Sequence, residues 1–296
     1  MTQITPEILK SHQPKHPFLI GIDSDGCVFD SMEIKHKECF CPAFINHFNL
    51  QAVSKYAREV WEFVNLYSTT RGFNRFKTVI RTLDLLAERD EVRMRKVEVP
   101  KLNSLREWIR RENKLGNPAL KAEIKRNPDP ELKQVLAWSL DVNTAVKKIV
   151  HNLPPFPNVR ESLEKLQSNV DIVVVSQTPG EALIREWQEN RIDSFAEMIC
   201  GQELGTKTEH LKMVSGGKYP KENVLMVGDA PGDLKAAQAN EVLFYPINPG
   251  REEVSWDRFL NEVIGRFING NYAGAFEKEQ IDEFQSVLPE EPPWLI

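Results

Sequence analysis

An α/β fold, a doubly wound parallel sheet interrupted once by an all-helical insert, is what this sequence predicts, and three observations predict it. Short, almost continuous apolar runs at 18–22, 170–175 and 224–227 are bounded by polar or glycine residues, as strands buried on both faces are. Helical periodicity separates the later runs, and alternating strands and helices build a parallel sheet covered on both sides. Between 32 and 151 the alternation stops: no buried-strand run occurs there, while helical periodicity persists.

The first run, FLIGI, leads straight into Asp23, Asp25 and Asp30. Within the insert, Val53, Ala57, Val60, Trp61 and Val64 fall on one face of a helix, and Phe76, Val79, Ile80, Leu83 and Leu86 do so in the next. Ser104-Leu105-Arg106-Glu107 has capping-box spacing, and Asn117-Pro118 and Asp129-Pro130 each place a cap residue before a proline at the first helical position. HNLPPFPNV ends the insert; its prolines cannot continue a helix and make one of two stiff hinges.

After the insert, Val159, Leu163 and Leu166 form a helix face before the second strand, and Leu183, Ile184 and Trp187 form one after it. Leu234 to Ala239 follows the third strand, and Val242 to Ile247 is a weaker fourth. A polar helix pattern, Phe276 to Val287, precedes the ending PEEPPWLI, for which packing is expected rather than direct chemistry. The expected organisation is a core of 1–31 and 152–268, a helical insert of 32–151 and a C-terminal extension of 269–296.

With 296 residues, two unequal parts are expected, and 41% hydrophobic with 27% charged residues is the composition of a soluble globular protein. A formal charge of -5 gives no basic excess for gripping nucleic acid. The N-terminal MTQITPEILKSHQPKHP lacks the apolar core of a secretory signal, and no stretch approaches the roughly 18 apolar residues of a membrane span, so a cytoplasmic location is expected. Cys27, Cys39, Cys41 and Cys200 read as reduced thiols, Cys39-x-Cys41 lacks zinc-knuckle spacing, and the histidines are scattered, so no transition-metal site is expected.

Ligands of open parallel sheets bind beyond the carboxyl ends of the strands. Asp23, Ser24, Asp25 and Gly26 follow the first strand, Ser176, Gln177 and Thr178 the second, and Gly228, Asp229, Gly232 and Asp233 the third. Lys207, in GTKTEHL, precedes the helix leading to the third. Acids at the end of a buried strand need a cation, a hydrogen-bond network or a proton, because burying an unpaired charge costs several kcal/mol or more.

IDSDG, VVVSQT, Lys207 in GTKTEH, and MVGDAPGD resemble, in order, the four motifs of the haloacid dehalogenase superfamily. PFPNVRESLEKL is similar to the family's segment before its second motif, and the insert lies where the family carries a helical cap; the resemblance spans residues 18 to 245. It implies a Rossmann-like core with an inserted all-helical cap domain. It implies that Asp23 is a nucleophile forming an aspartyl-phosphate and that Asp25 protonates the leaving oxygen, then deprotonates the attacking water. Gly26 would allow the close approach of backbone to ligand. Asp229, the Asp23 carboxylate and the Asp25 backbone carbonyl would hold Mg²⁺, with Asp233 supporting them. Two carboxylates about 4 Å apart repel by roughly 4 kcal/mol at an effective dielectric near 20, which favours a cation, and hard oxygen ligands beside phosphate favour Mg²⁺. Lys207 and the Ser176 hydroxyl would bind the phosphoryl oxygens. An acid at position 25 favours a phosphatase over dehalogenases and phosphonate-cleaving members. The family commonly has Thr where Cys27 stands.

STTRGFNRF, Ser68 to Phe76, resembles the Arg-Gly stretch that members use as a specificity loop, making Arg71 and Arg75, with Gln177, candidate substrate-binding residues. Arg71 and Arg75 are four apart and, if helical, share a face; a solvated basic face is the alternative. Asp30 with Ser31 reads as the cap of the insert's first helix, and a helix cap is also open to Asp233. The expected function is a Mg²⁺-dependent phosphomonoesterase of a small phosphorylated metabolite. Alternatives are a sugar-phosphate phosphomutase and a non-catalytic phosphometabolite sensor or scaffold. No nucleic-acid or membrane partner is expected, and the oligomeric state stays open.

Overall fold

The structure is a computed structural model and describes residues 4–295. Its contacts divide the chain into two compact units, one comprising the chain up to Met32 with Asn152–Pro289, the other Glu33–His151 with the residues from Glu290 onward.

The first unit holds five strands, β1 (Phe18–Ile22), β2 (Val170–Val175), β3 (Met198–Cys200), β4 (Val224–Gly228) and β5 (Leu243–Pro246). They pair in parallel in the order β3-β2-β1-β4-β5. The strand order reverses at β1, so the crevice of a doubly wound sheet opens beside its end. Ile22 pairs with both Val174 and Val227, which brings the carboxyl ends of β1, β2 and β4 level.

Strand residues alternate between two cores. Ile20, Ile22, Ile172, Val174, Leu225 and Val227 pack with Leu163, Trp187, Trp256 and Phe267. Leu19, Val173, Val175, Val224 and Met226 pack with Leu211, Leu234, Phe284 and Leu288 on the other face. Burial on both faces is why these strands read as continuous apolar runs rather than alternating ones. The fourth expected strand is β5, while β3 was not foreseen, since its three residues are too few to carry a pattern. The C-terminal helix Ala275–Val287 belongs to this unit, with Phe284 and Leu288 in the second core and Glu277 accepting the Phe244 N–H at 2.9 Å.

The second unit is helical. Helices Ser54–Leu66 and Arg75–Glu88 bury the predicted faces, apart from a half-buried Ile80. Phe40, Phe44, Phe48, Trp61 and Trp138 form its aromatic centre, with the two indoles 6.1 Å apart. Two helix starts differ from the local reading. Helix Asn103–Arg111 begins before Ser104, whose hydroxyl donates to Asp129 at 2.9 Å instead of capping its own helix. Asn117 is already helical, after Gly116, and its side chain accepts the Ser139 hydroxyl at 2.7 Å. Asp129 does cap helix Pro130–Ile149, accepting the Leu132 N–H at 2.8 Å. All four cysteines are buried and free, and among the described residues no helix is long and apolar enough to cross a membrane.

Candidate active site

The site begins where β1 ends. Asp23 extends the ladder, donating its N–H to the Val227 carbonyl at 2.9 Å. The chain then curls: the Ser24 carbonyl accepts the N–H groups of Cys27, Val28 and Phe29. Gly26 stands at φ 76°, a left-handed conformation that side-chain-bearing residues avoid, and its N–H reaches the Phe29 carbonyl at 2.8 Å. Two indoles pin this turn, Trp187 donating to the Ser24 hydroxyl at 3.0 Å and Trp256 to the Cys27 carbonyl at 2.8 Å. Cys27 itself is buried, its thiol 3.8 Å from the Val227 carbonyl, a weak contact.

Lys207 reaches this turn from the first position of helix Lys207–Ser215, whose start is fixed by a capping box between Thr206 and Glu209. Its ammonium lies 2.6 Å from Asp23 Oδ2 and 2.6 Å from Asp233 Oδ1. Asp23, Asp229 and Asp233 are all buried, and one carboxylate oxygen from each lies within 4.8 Å of the others. Asp233 also accepts the Ala230 N–H at 3.1 Å, so it caps helix Pro231–Asn240 and holds Lys207 together. Gly228, at the end of β4, makes this possible: a Cβ there would stand 2.3 Å from the Asp233 side chain.

Burial pushes Asp23 up to about 6 against the pull of Lys207, with Asp229 adding to the rise. Burial likewise raises Asp233, again against Lys207. For Lys207 burial favours the neutral amine, but Asp23, Asp233 and Asp229 outweigh it and hold the ammonium above the usual lysine range. Three carboxylates facing one ammonium leave excess negative charge in a buried place, an arrangement that a further cation completes. Asp23 Oδ1 is buried with no hydrogen-bond partner, and the donor set is all carboxylate oxygen. Both features fit Mg²⁺.

Asp25 points elsewhere: its carboxylate accepts the hydroxyls of Thr178, at 2.5 Å, and of Ser31. Neither Ser31 nor Thr178 was singled out by the sequence for this, although Thr178 stands two residues beyond Ser176 in VVVSQT; Ser31 was read as part of a helix cap. Ser176 is buried, its N–H on the Cys200 carbonyl at 3.0 Å and its hydroxyl accepting the Thr178 N–H at 3.2 Å. The Gln177 amide donates to the Gly205 carbonyl at 2.9 Å, tying the end of β2 to the loop that carries Lys207. Asp30 is exposed.

Arg71 and Arg75 lie in the helical unit. Arg71 is buried and donates to the Leu66 carbonyl at 2.9 Å. Arg75 donates to the Ser139 carbonyl and hydroxyl and to Asn143, and its guanidinium lies 4.8 Å from the centre of the Phe40 ring. Burial lowers Arg75 to about 10.

Residues 111–246, which include Ser176, Lys207, Asp229 and Asp233, match the family described as haloacid dehalogenase-like hydrolase. A search of curated proteins finds no match. Among solved structures, this chain resembles a candidate phosphoglycolate phosphatase from Lactobacillus delbrueckii subsp. bulgaricus, with TM-score 0.50 and 16% identity over 83% of this chain and 92% of the other. That likeness shows a shared fold. A haloacid dehalogenase-like family hydrolase from Streptococcus pneumoniae matches with TM-score 0.47 and 12% identity over 84% and 98% of the two chains. A predicted phosphoglycolate phosphatase from Haemophilus somnus matches with TM-score 0.47 and 15% identity over 79% and 86%.

Proposed function

We propose that this protein is a Mg²⁺-dependent phosphomonoesterase acting on a small phosphorylated metabolite through an aspartyl-phosphate. The observation that carries the reading is the convergence of Asp23, Asp229 and Asp233 on one another at the switch point of the sheet, with the Lys207 ammonium on Asp23 and Asp233. Asp23, Asp229, Asp233 and the Asp25 backbone carbonyl would hold Mg²⁺, which would supply charge neutralisation for the phosphoryl group.

Asp23 attacks phosphorus, and the bond to the leaving oxygen breaks as Asp25 delivers its proton there. Asp25, now a carboxylate, takes a proton from water; the water oxygen attacks the same phosphorus, phosphate leaves and the Asp23 carboxylate is regenerated. Lys207 and the Ser176 hydroxyl bind the phosphoryl oxygens, where the transfer is stabilised by fixed donors rather than by covalent chemistry. We assign the helical residues 32–151 the role of a cap whose Ser68–Phe76 segment selects the substrate, with Arg71, Arg75 and Gln177 as its polar contacts. A cytoplasmic location completes the reading.

Hydrolysis of an aryl phosphate with Mg²⁺, read as released phosphate, tests it. Asp23→Asn is expected to lower the rate by at least about 10³-fold, and chelation with EDTA to abolish it reversibly. An unchanged rate in Asp23→Asn refutes the reading, and isomer formation without net phosphate release would replace it with a phosphomutase.

A further inference from the structure

An inserted unit needs two chain crossings, after Met32 and after His151, but this chain crosses a third time after Pro289. The segment that does so is not loosely placed. Pro292 is buried, Pro293–Leu295 forms a short helical turn, and Trp294 meets the edge of Phe63 at 5.4 Å between ring centres. The Arg89 guanidinium lies 4.7 Å from the Trp294 ring centre and 5.0 Å from that of Tyr56. Arg89 is 6% exposed and is held by Glu59 at 2.9 Å and by Glu91 at 3.1 Å. Its remaining nitrogen, Nη1, is buried without a hydrogen-bond partner, so the aromatic rings supply the contacts that water or a carboxylate would otherwise make.

The link between this seat and the helix Ala275–Val287 is short and stiff, since LPEEPP places three prolines in six residues. A short stiff link with a docked end transmits restraint, whereas a long flexible one would not. Two ring contacts on one partly exposed tryptophan make a seat that is populated but can open.

We propose that the C-terminal segment is a clasp: while Trp294 is seated on Arg89 and Phe63, a third covalent strand restrains movement of the helical unit, and unseating it releases that movement. The clasp is independent of the chemistry assigned to the acids, and its test needs no turnover.

Hydrogen exchange is compared for the full chain, Trp294→Ala, Trp294→Phe and a chain ending at Pro289. In Trp294→Ala and in the shortened chain, amides of the two other crossings, near 30–35 and 150–156, are expected to exchange about tenfold faster. Amides of β1, β2 and β4 keep their protection, and Trp294→Phe, which preserves an aromatic face, stays near the full chain. Faster exchange confined to the Phe63 and Arg89 segments, with the crossings unchanged, overturns the proposal, because the tail is then only a local cover. No change anywhere overturns it too. Loss of strand protection in both variants likewise overturns it, by making the tail part of the folding core.

Discussion

Lys207 and Asp23, 184 residues apart in sequence, meet at 2.6 Å in a place where both are buried. The pair joins the end of β1 to the start of a helix whose own first turn is fixed by Thr206 and Glu209. Lys207 thus offsets one charge of the acidic group, Asp23, Asp229 and Asp233.

Removing that ammonium leaves buried carboxylates facing each other. Lys207→Met is expected to lower the stability of the protein in EDTA by about 3–5 kcal/mol, measured by urea unfolding, with Mg²⁺ restoring part of it. Phosphate release should fall by roughly 10³-fold even with saturating Mg²⁺.

The hydroxyls of Ser31 and Thr178 hold the Asp25 carboxylate, so their loss should be felt in the acid–base role proposed for Asp25. In the combined Ser31→Ala, Thr178→Val variant, alkyl phosphates, whose leaving oxygen needs a proton, are expected to slow by about 10²-fold. With an activated aryl phosphate the first step needs little acid, so rapid-quench measurement should show a burst of phenolate followed by slow turnover. Equal slowing of both substrates without a burst would assign the two hydroxyls to structure alone.

Gly228→Ala tests the seat of Asp233. The added Cβ would stand 2.3 Å from the Asp233 side chain, which must then move off Lys207. That displacement is expected to cost about 10²-fold in kcat and, because it breaks a buried ion pair, to lower stability as well, as read by turnover and thermal unfolding.

His210 is fully buried on the helix that begins at Lys207, and neither ring nitrogen has a hydrogen-bond partner. Burial lowers it to about 4, whereas in the unfolded chain it titrates near 6.5. Below about 6.5 the unfolded chain takes up a proton that the native state refuses, so this group withdraws stability as pH falls from 6.5 towards 4, by up to about 3 kcal/mol. His210→Phe should flatten that part of the stability profile in urea titrations and leave stability at pH 8 unchanged or higher, since no bond is lost.

How much of this could be read in the chain depended on range. Strands β1, β2 and β4 were legible because burial on both faces writes an apolar run, and the strand-end acids because such runs end in them. Strand β3 was not, because three residues carry no period. Ser104 was misread for a related reason: capping-box spacing is a local signal, while the partner that takes its hydroxyl, Asp129, stands 25 residues away. The same applies to Thr178 and Asp25, 153 residues apart, whose contact follows only once β1 and β2 are paired in register. Of the haloacid dehalogenase-like resemblance, the order of the motifs was visible in the sequence, but the tethering of the Asp25 carboxylate was not.

The paired indoles at the β1 turn, Trp187 on Ser24 and Trp256 on Cys27, have a consequence for recognition. Each comes from a separate helix, and each clamps the loop from within the protein rather than from a ligand. The shape this turn would offer the proposed phosphate ester is therefore set during folding, and association would spend little entropy on arranging it. These two rings should also be sensitive native fluorophores for the state of that loop, separable from the other four tryptophans by single replacement.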